Sequence, residues 1–368
     1  MIKILTIVGT RPELIRLSEC IKYFDKVFDH KIVHTGQNFD KNLNNIFFKD
    51  LNIRKPNFLI NSKSNTPIEV ISKIMIGVDK ILIKFKPDAV LILGDTNSSL
   101  SALAAKKRKI PIFHIEAGNR CFNENVPEES NRRVVDHLSD INVTYTSYAK
   151  DNLLREGKNS ELLIKLGSPL DEVIIKNNSK IKNSKILEKL NIVDNNFFLV
   201  SFHRDENTSN SKDIEYLFDS LIYLSKSYNS KIIFSTHPRI KKLFHDKIKK
   251  NKYIDFVKPF SFTDYIKLQL NAKLVLSDSG SLIEESSLLG FKSICLRSSI
   301  ERQEGYEKGL ITLTSFKKKD ISLNVKMILD NKSNIQSYSE YRNKNFSSDL
   351  AKIIISHIPI VKKKIWLI

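Results

Sequence analysis

Short apolar runs and longer helical patterns alternate along the whole chain. IKILTIV (2–8), HKIVHT (30–35), DAVLIL (88–93), IPIFHI (110–115) and INVTYT (141–146) predict one series of strands. FFLVSF (197–202), KIIFST (231–236), IDFV (254–257), KLVLSD (273–278) and KSICL (292–296) predict a second. Helical periodicity fills the gaps, as in PIEVISKIMIGVDKILIKF (67–85). Strands apolar on both faces and alternating with helices imply parallel sheets covered on both sides. Between the two series lie Gly167-Ser168-Pro169, a hinge signal, and the polar stretch KNNSKIKNS (176–184). A length of 368 residues also exceeds one ordinary core. The pattern predicts two doubly wound, Rossmann-like α/β domains, residues 1–168 and 169–349, with parallel sheets facing across a cleft. A C-terminal helix over about 350–368 is expected to pack back on the first domain.

In doubly wound folds ligands sit beyond the carboxyl ends of the strands. The residues that follow each apolar run therefore carry the functional signal. They read GTRPELIR, GDTNSS, EAGNR, HRDEN, HPR and DSGSLIEE. Arg11 and Arg16 could meet a diphosphate, or simply form a solvated pair. Pro12 falls in the first turn of a helix, where proline is tolerated. Ser279, Gly280 and Ser281 are small enough for backbone N–H groups and a helix start to approach a phosphate, although a plain strand–helix turn reads the same way. Glu285, one turn along, would repel phosphate but suits a ribose diol. His203 and His237 end neighbouring predicted strands and point to phosphate or leaving-group contacts. His114 lies inside its strand and reads as a core histidine.

The segment HIEAGNRCFNENVPEESNRRVVDHLSD (114–140) concentrates charge beside a buried strand. Pro127 is expected to begin a helix with Val134, Val135 and Leu138 on its buried face. Glu128 and Glu129 fall in its first turn, where the helix dipole favours ionised carboxylates. Together with Asp95 and Glu116 at adjacent strand ends, Glu128 would give three carboxylates around one substrate. That arrangement can remove and return a proton from different directions. Glu129 reads better as charge complementarity at the helix start.

Composition narrows the choices. The net charge of +19 comes from 60 Lys+Arg against 41 Asp+Glu. The lysines are scattered among Ile and Asn, with no aromatic-basic stripe, so nucleic acid is not an expected partner. No apolar run approaches the ~18 residues of a membrane helix, and no signal peptide is read at the start. Three widely spaced cysteines suit a reduced cytoplasm and form no metal-ligand pattern. No pair of histidines has metal-binding spacing. GxxxxGK[ST] and GxGxxG are both missing, so neither a metal nor a nicotinamide cofactor is expected.

GTRPE, GDTNS, HIEAGNR, PEESNR, HRDEN, HPR, SDSGSLIEE and ERQE, in this order over about residues 1–310, resemble the non-hydrolysing UDP-N-acetylglucosamine 2-epimerase superfamily. The resemblance implies a GT-B-like fold and inversion of C2 in a UDP-2-acetamido sugar without metal or nicotinamide. UDP would be eliminated to leave a 2-acetamidoglycal, and added back after C2 is reprotonated on the other face. By motif, Arg11, Arg16, Ser279, Gly280 and Arg302 would contact the diphosphate, with Ser281 in the same turn. Glu285 would hold the ribose, and FSFTDYIKL would lie near uracil. Asp95, Glu116 and Glu128 would be the acid/base carboxylates, with His203 at the leaving diphosphate and His237 nearby.

Some motifs depart from the family pattern. Ser281 stands where SDSGG has its second glycine, and Gln303 where ERPE has proline. HTGQNFDKNLNNIFF differs from the QHREM-type segment of the UDP-GlcNAc enzymes, which helps bind an activating second UDP-GlcNAc. TGQNFD, GNRCFNENVPEESNRRVVDHLSDIN and the glycine of RQEG resemble a subgroup acting on 6-deoxy sugars. That subgroup converts UDP-2-acetamido-2,6-dideoxy-L-talose to UDP-N-acetyl-L-fucosamine for capsule or O-antigen, and Cys121 and Phe122 would suit a pocket facing a methyl group. The alternatives are UDP-GlcNAc to UDP-ManNAc, the L-rhamno to L-quinovosamine interconversion, and a GT-B glycosyltransferase. The chain is expected to act in the cytoplasm, as a homodimer.

Overall fold

In the computed structural model, residues 1–37, 47–202, 211–236, 252–331 and 337–368 are described. The chain divides into two compact units, residues 1–176 with 340–368, and residues 177–339.

In the first unit, the described strands form one fully parallel sheet in the order β3-β2-β1-β4-β5-β6-β7. They are β1 (Lys3–Val8), β2 (Asp29–His34), β3 (Phe58–Leu59), β4 (Ala89–Leu93), β5 (Ile112–Ile115), β6 (Ile141–Thr144) and β7 (Leu163–Lys165). The central strands are mostly apolar because both faces are covered: all five residues of β4 are apolar and buried. Strand order reverses at β1/β4, where an open α/β sheet leaves a crevice at the strands' carboxyl ends.

Helices α1 (Arg11–Arg16), α2 (Ser18–Val27), α3 (Pro67–Phe85) and α4 (Pro127–Leu138) flank this sheet. Pro67 and Pro127 each stand at a helix start, where the missing N–H is no loss. Ile74, Val78 and Leu82, one face of α3, pack with Leu5, Val33, Val90 and Ile92 of the strands.

The chain passes between the units inside helix α5 (Pro169–Lys182), rather than at the Gly167–Pro169 turn itself. The final segment rejoins the first unit. Glu172 of α5 accepts from the backbone N and hydroxyl of Ser347, both at 2.8 Å, and Asp171 accepts from Asn343 N at 2.8 Å. The last long helix, Phe346–Val361, packs on α2.

The second unit has its own parallel sheet, order β10-β9-β8-β11-β12-β13, among the described residues. Its strands are β8 (Phe197–Phe202), β9 (Lys231–Thr236), β10 (Ile254–Val257), β11 (Leu274–Ser277), β12 (Ser293–Cys295) and β13 (Thr312–Leu313). Helix α6 (Ser211–Tyr228) covers one face, burying Ile214, Leu217, Phe218, Leu221 and Leu224 against β8 and β9. The strands β3, β7 and β13, two or three residues each, are absent from the sequence-based prediction. They are too short to show a period.

Candidate active site

The carboxyl ends of β1, β4 and β5 lie side by side, and a strongly hydrogen-bonded polar layer covers them. Gly9, directly after β1, has no room for a side chain: a Cβ there would stand 1.9 Å from Ser98 Oγ and 2.4 Å from Thr35 Oγ1. Glu13 of α1 turns back beneath this turn. It accepts from Gly9 N at 2.5 Å, Thr10 Oγ1 at 3.1 Å and Thr96 Oγ1 at 2.8 Å. GTRPE and GDTNS are thereby joined through one buried carboxyl. Burial pushes Glu13 up to about 7, although the four donors around it pull the other way.

Asp95 follows β4. It pairs with Arg132 of α4, whose other terminal nitrogen lies 3.1 Å from Glu129 Oε2. Asn131 Nδ2 donates to the Asp95 carbonyl at 3.0 Å. Asn131 and Arg132 thus fix Asp95 from the helix that also carries Glu128.

Glu116 follows β5 with φ of 67°, a left-handed conformation that costs a non-glycine residue roughly 1–2 kcal/mol. Such a conformation persists only where its surroundings dictate it. Here Tyr145 Oη donates to Glu116 Oε2 at 3.2 Å, and Arg16 Nε lies 3.6 Å from the same oxygen. Arg16 is thus buried against a carboxylate, while the Arg11 guanidinium lies 5.8 Å from the Phe47 ring centre. Glu128 is half-buried in the first turn of α4.

Glu129 is an anchor, in line with its reading as a helix-start charge. Fully buried, it accepts from Cys121 N at 3.0 Å and Phe122 N at 3.3 Å, and lies 3.3 Å from Cys121 Sγ. Burial alone would raise its pKa, but these donors and Arg132 hold it below the usual carboxylate range. The result is a Cys121–Phe122 loop fixed to the helix. On the other side Gln37 Oε1 lies 3.2 Å from both the N and Oγ of Ser98.

In the second unit, β11 ends in the Ser279-Gly280-Ser281 turn, followed by helix α8 (Leu282–Leu289) after α7 (Phe262–Asn271). Ser279 N donates to Ser277 Oγ at 3.1 Å, and the Ser279 and Ser281 hydroxyls are 2.9 Å apart. Arg302 lies beside this turn, donating to the Gly280 carbonyl at 2.5 Å and pairing with the buried Glu284 at 3.2 Å. Glu285 is half-buried and accepts from Gln269 Nε2 of α7 at 2.6 Å. Tyr265, also on α7, has its phenol pushed up by burial and by Glu285.

Of the sequence-predicted residues, the first unit pairs Arg16 with Glu116 and holds Asp95 from the helix that carries Glu128, with Arg11 beside Phe47. The second sets Arg302 against the Ser279–Ser281 turn, with Glu285 in the first turn of α8. His203 and His237 lie outside the described residues. Among the described residues no group of three or more His, Cys, Asp or Glu side chains is placed to hold a metal ion, and no helix is long and apolar enough to cross a membrane. Sequence reasoning passed over Glu13, Arg132 and Asn131, although all three stand within quoted motifs.

Two parallel Rossmann-like sheets, one with Asp95 and Glu116 after adjacent strands and the other ending in a small-residue turn, define an α/β enzyme of the GT-B-like class. The family model described as UDP-N-acetylglucosamine 2-epimerase matches residues 23–358, and the chain belongs to that family of isomerases. It is 42% identical to a UDP-N-acetylglucosamine 2-epimerase from Rickettsia bellii whose structure covers 100% of both chains with a TM-score of 0.92. A curated UDP-N-acetylglucosamine 2-epimerase from Methanocaldococcus jannaschii is 38% identical over 344 residues, 90% of this chain and 93% of its own. A M. jannaschii UDP-GlcNAc 2-epimerase structure in complex with UDP-GlcNAc and UDP is 35% identical, with a TM-score of 0.90 over 96% of this chain and 100% of the other.

Proposed function

We propose that the chain inverts C2 of UDP-2-acetamido-2,6-dideoxy-L-talose, giving UDP-N-acetyl-L-fucosamine. The C2 hydrogen of such a sugar has no neighbouring carbonyl to acidify it. Breaking the C1–O bond places positive charge at C1, and a carboxylate can then take the C2 proton as the C1–C2 double bond forms. UDP leaves with the bonding electrons. A carboxyl group on the other face returns a proton to C2, and UDP closes the C1–O bond again. Asp95, Glu116 and Glu128 carry the proton steps. Arg302, the Ser279–Ser281 turn and Arg11 neutralise the diphosphate, and Glu285 holds the ribose. Arg16, paired with Glu116, links the two tasks. His203 and His237 keep their proposed places at the leaving group.

The observation that favours the 6-deoxy sugar is how the divergent segments are held. Gln37 of TGQ is bonded to Ser98 beside Asp95, and Cys121 and Phe122 are bonded to Glu129 beside Glu128. Phe122 is 61% exposed on that fixed loop, at φ 52°, and in this reading it supplies an apolar wall to the sugar. A wall of that kind suits a methyl group at C5 and leaves a hydroxymethyl without a partner. The names of the relatives favour a second reading, UDP-GlcNAc to UDP-ManNAc. The three free cysteines agree with the cytoplasmic location in the same proposal, which also takes the enzyme as a homodimer.

Incubation with each nucleotide sugar, followed by NMR of the products, separates the two readings. The 6-deoxy-L-talose derivative should turn over readily. The kcat/KM for UDP-GlcNAc should be lower by roughly 5- to 150-fold, the cost of burying one unpaired hydroxyl. Equal or better kcat/KM on UDP-GlcNAc would establish the second reading.

A further inference from the structure

We propose that Asp136 is a positioning residue, and that with His114 it sets the three acid/base carboxylates relative to one another; this rests on the reading of function above. Asp136 lies on α4, two turns beyond Glu128, and is fully buried. One of its oxygens is 2.9 Å from His114 Nδ1. The other accepts from Arg120 Nη1 at 2.7 Å, and Gly118 N approaches both, at 3.1 and 3.3 Å.

Two of these contacts, to His114 and to Gly118, lead to different carboxylates, and the helix leads to the third. The far nitrogen of His114, Nε2, donates to the Gly94 carbonyl at 2.8 Å, and Gly94 immediately precedes Asp95. Gly118 stands two residues after Glu116, in a turn with φ of 83° where a Cβ would fall 2.1 Å from the Ala149 carbonyl oxygen. Asp136 itself moves with the helix that carries Glu128. One buried carboxylate therefore ties the β4 end, the β5 end and α4 together.

Arg120, fully buried, braces the assembly from behind through Glu156, with contacts of 2.7 and 2.6 Å. Burial alone would raise the Asp136 pKa, but His114 and Arg120 hold it down, so the group stays a carboxylate that accepts from Arg120 and Gly118. None of these side chains needs to touch substrate. Inversion needs two carboxylates on opposite faces, whereas exchange of the C2 hydrogen needs only one. A device that sets the spacing between carboxylates therefore controls how many exchanges end in inversion.

Asp136→Asn keeps the volume but removes the negative charge that pairs with the buried Arg120 and lies against His114, so the tie between the strand ends and α4 is weakened. In D2O, with UDP-2-acetamido-2,6-dideoxy-L-talose or, if only that is turned over, UDP-GlcNAc, NMR measures deuterium at C2 in recovered substrate and in inverted product. The variant should show kcat lowered about 10- to 100-fold, the scale of an ångström's misplacement. UDP affinity by calorimetry should stay within about 2-fold, and the ratio of exchange to inversion should rise several-fold. If Asp136→Asn does not fold, His114→Gln, which leaves the Asp136–Gly118 contact in place, reads the same ratio. A ratio equal to that of the unaltered protein, with both rates reduced together, overturns the positioning role. An unaltered protein that neither exchanges nor inverts either sugar overturns the reading of function, and this role with it.

Discussion

The two sheets are built alike and finish differently. At the carboxyl edge of the first, acidic groups are held by basic partners and backbone donors: Asp95 by Arg132, Glu116 by Arg16 and Tyr145, Asp136 by Arg120 and His114. At the corresponding edge of the second, hydroxyls and a glycine line the turn, with Arg302 and Glu284 as the charged pair beside it. Moving a proton demands fixed distances, which buried ion pairs supply. Receiving an anion demands open backbone N–H groups, which small side chains leave accessible. In the proposed mechanism the same architecture thus serves acid/base placement in one unit and a receptive turn in the other.

Substitutions that respect this division should separate catalysis from binding. The largest effect is expected in the first unit. Asp95→Asn and Glu116→Gln should each lower kcat by ~10²-fold or more, the usual contribution of an acid or base, with UDP affinity nearly unchanged by calorimetry. Loss of UDP binding in Glu116→Gln would erase the contrast between the units.

In the second unit the pattern should invert. Glu285→Ala and Arg302→Ala should weaken UDP binding by roughly 10- to 100-fold, as expected for lost charge-assisted hydrogen bonds. Arg302→Ala should also lower the Tm, because Glu284 is left buried without its arginine. Glu285→Ala should lower it less, because it orphans one neutral amide donor, Gln269 Nε2, rather than a buried charge, and thermal scans of the two variants test that difference.

A smaller effect is expected at Glu13. Its carboxyl is raised to about 7 in the folded chain from an ordinary 4.5. Folding therefore favours its protonated form, and the stability gained is full below pH 4.5 and lost as pH rises through about 7. Glu13→Gln keeps a neutral head at all pH values. Relative to the unaltered protein it should gain on the order of 2 kcal/mol between pH 5 and pH 8, measured by denaturant unfolding. A pH-independent difference would mean that Glu13 stays ionised throughout.

Much of this arrangement can be read from the chain. Continuous apolar runs predict both sheets, and polar residues after β1, β4, β5 and β11 point to the edges where the candidate groups are found. Pro127 predicts the start of α4, and the structure begins the helix there. The supporting charges are not legible. Arg132 and Asp136 look like the solvated face of an amphipathic helix, since nothing local shows that Asp95 and His114 will lie against them. Their partners are 37 and 22 positions away in the chain, and only the parallel register brings them close. Glu13 likewise reads as first-turn charge in a short helix; its burial follows from the packing of α1 under the β1 and β4 turns. The two- and three-residue strands escape for a simpler reason: a period cannot be read from so few positions.

The central claim is that carboxylates of the first unit take the C2 proton and return one from solvent while UDP leaves and rejoins. It is tested most directly by running the reaction in D2O with the unaltered protein and examining C2 of the product by NMR. The account predicts deuterium at C2 in every inverted molecule, and full retention of protium at C2 would contradict it.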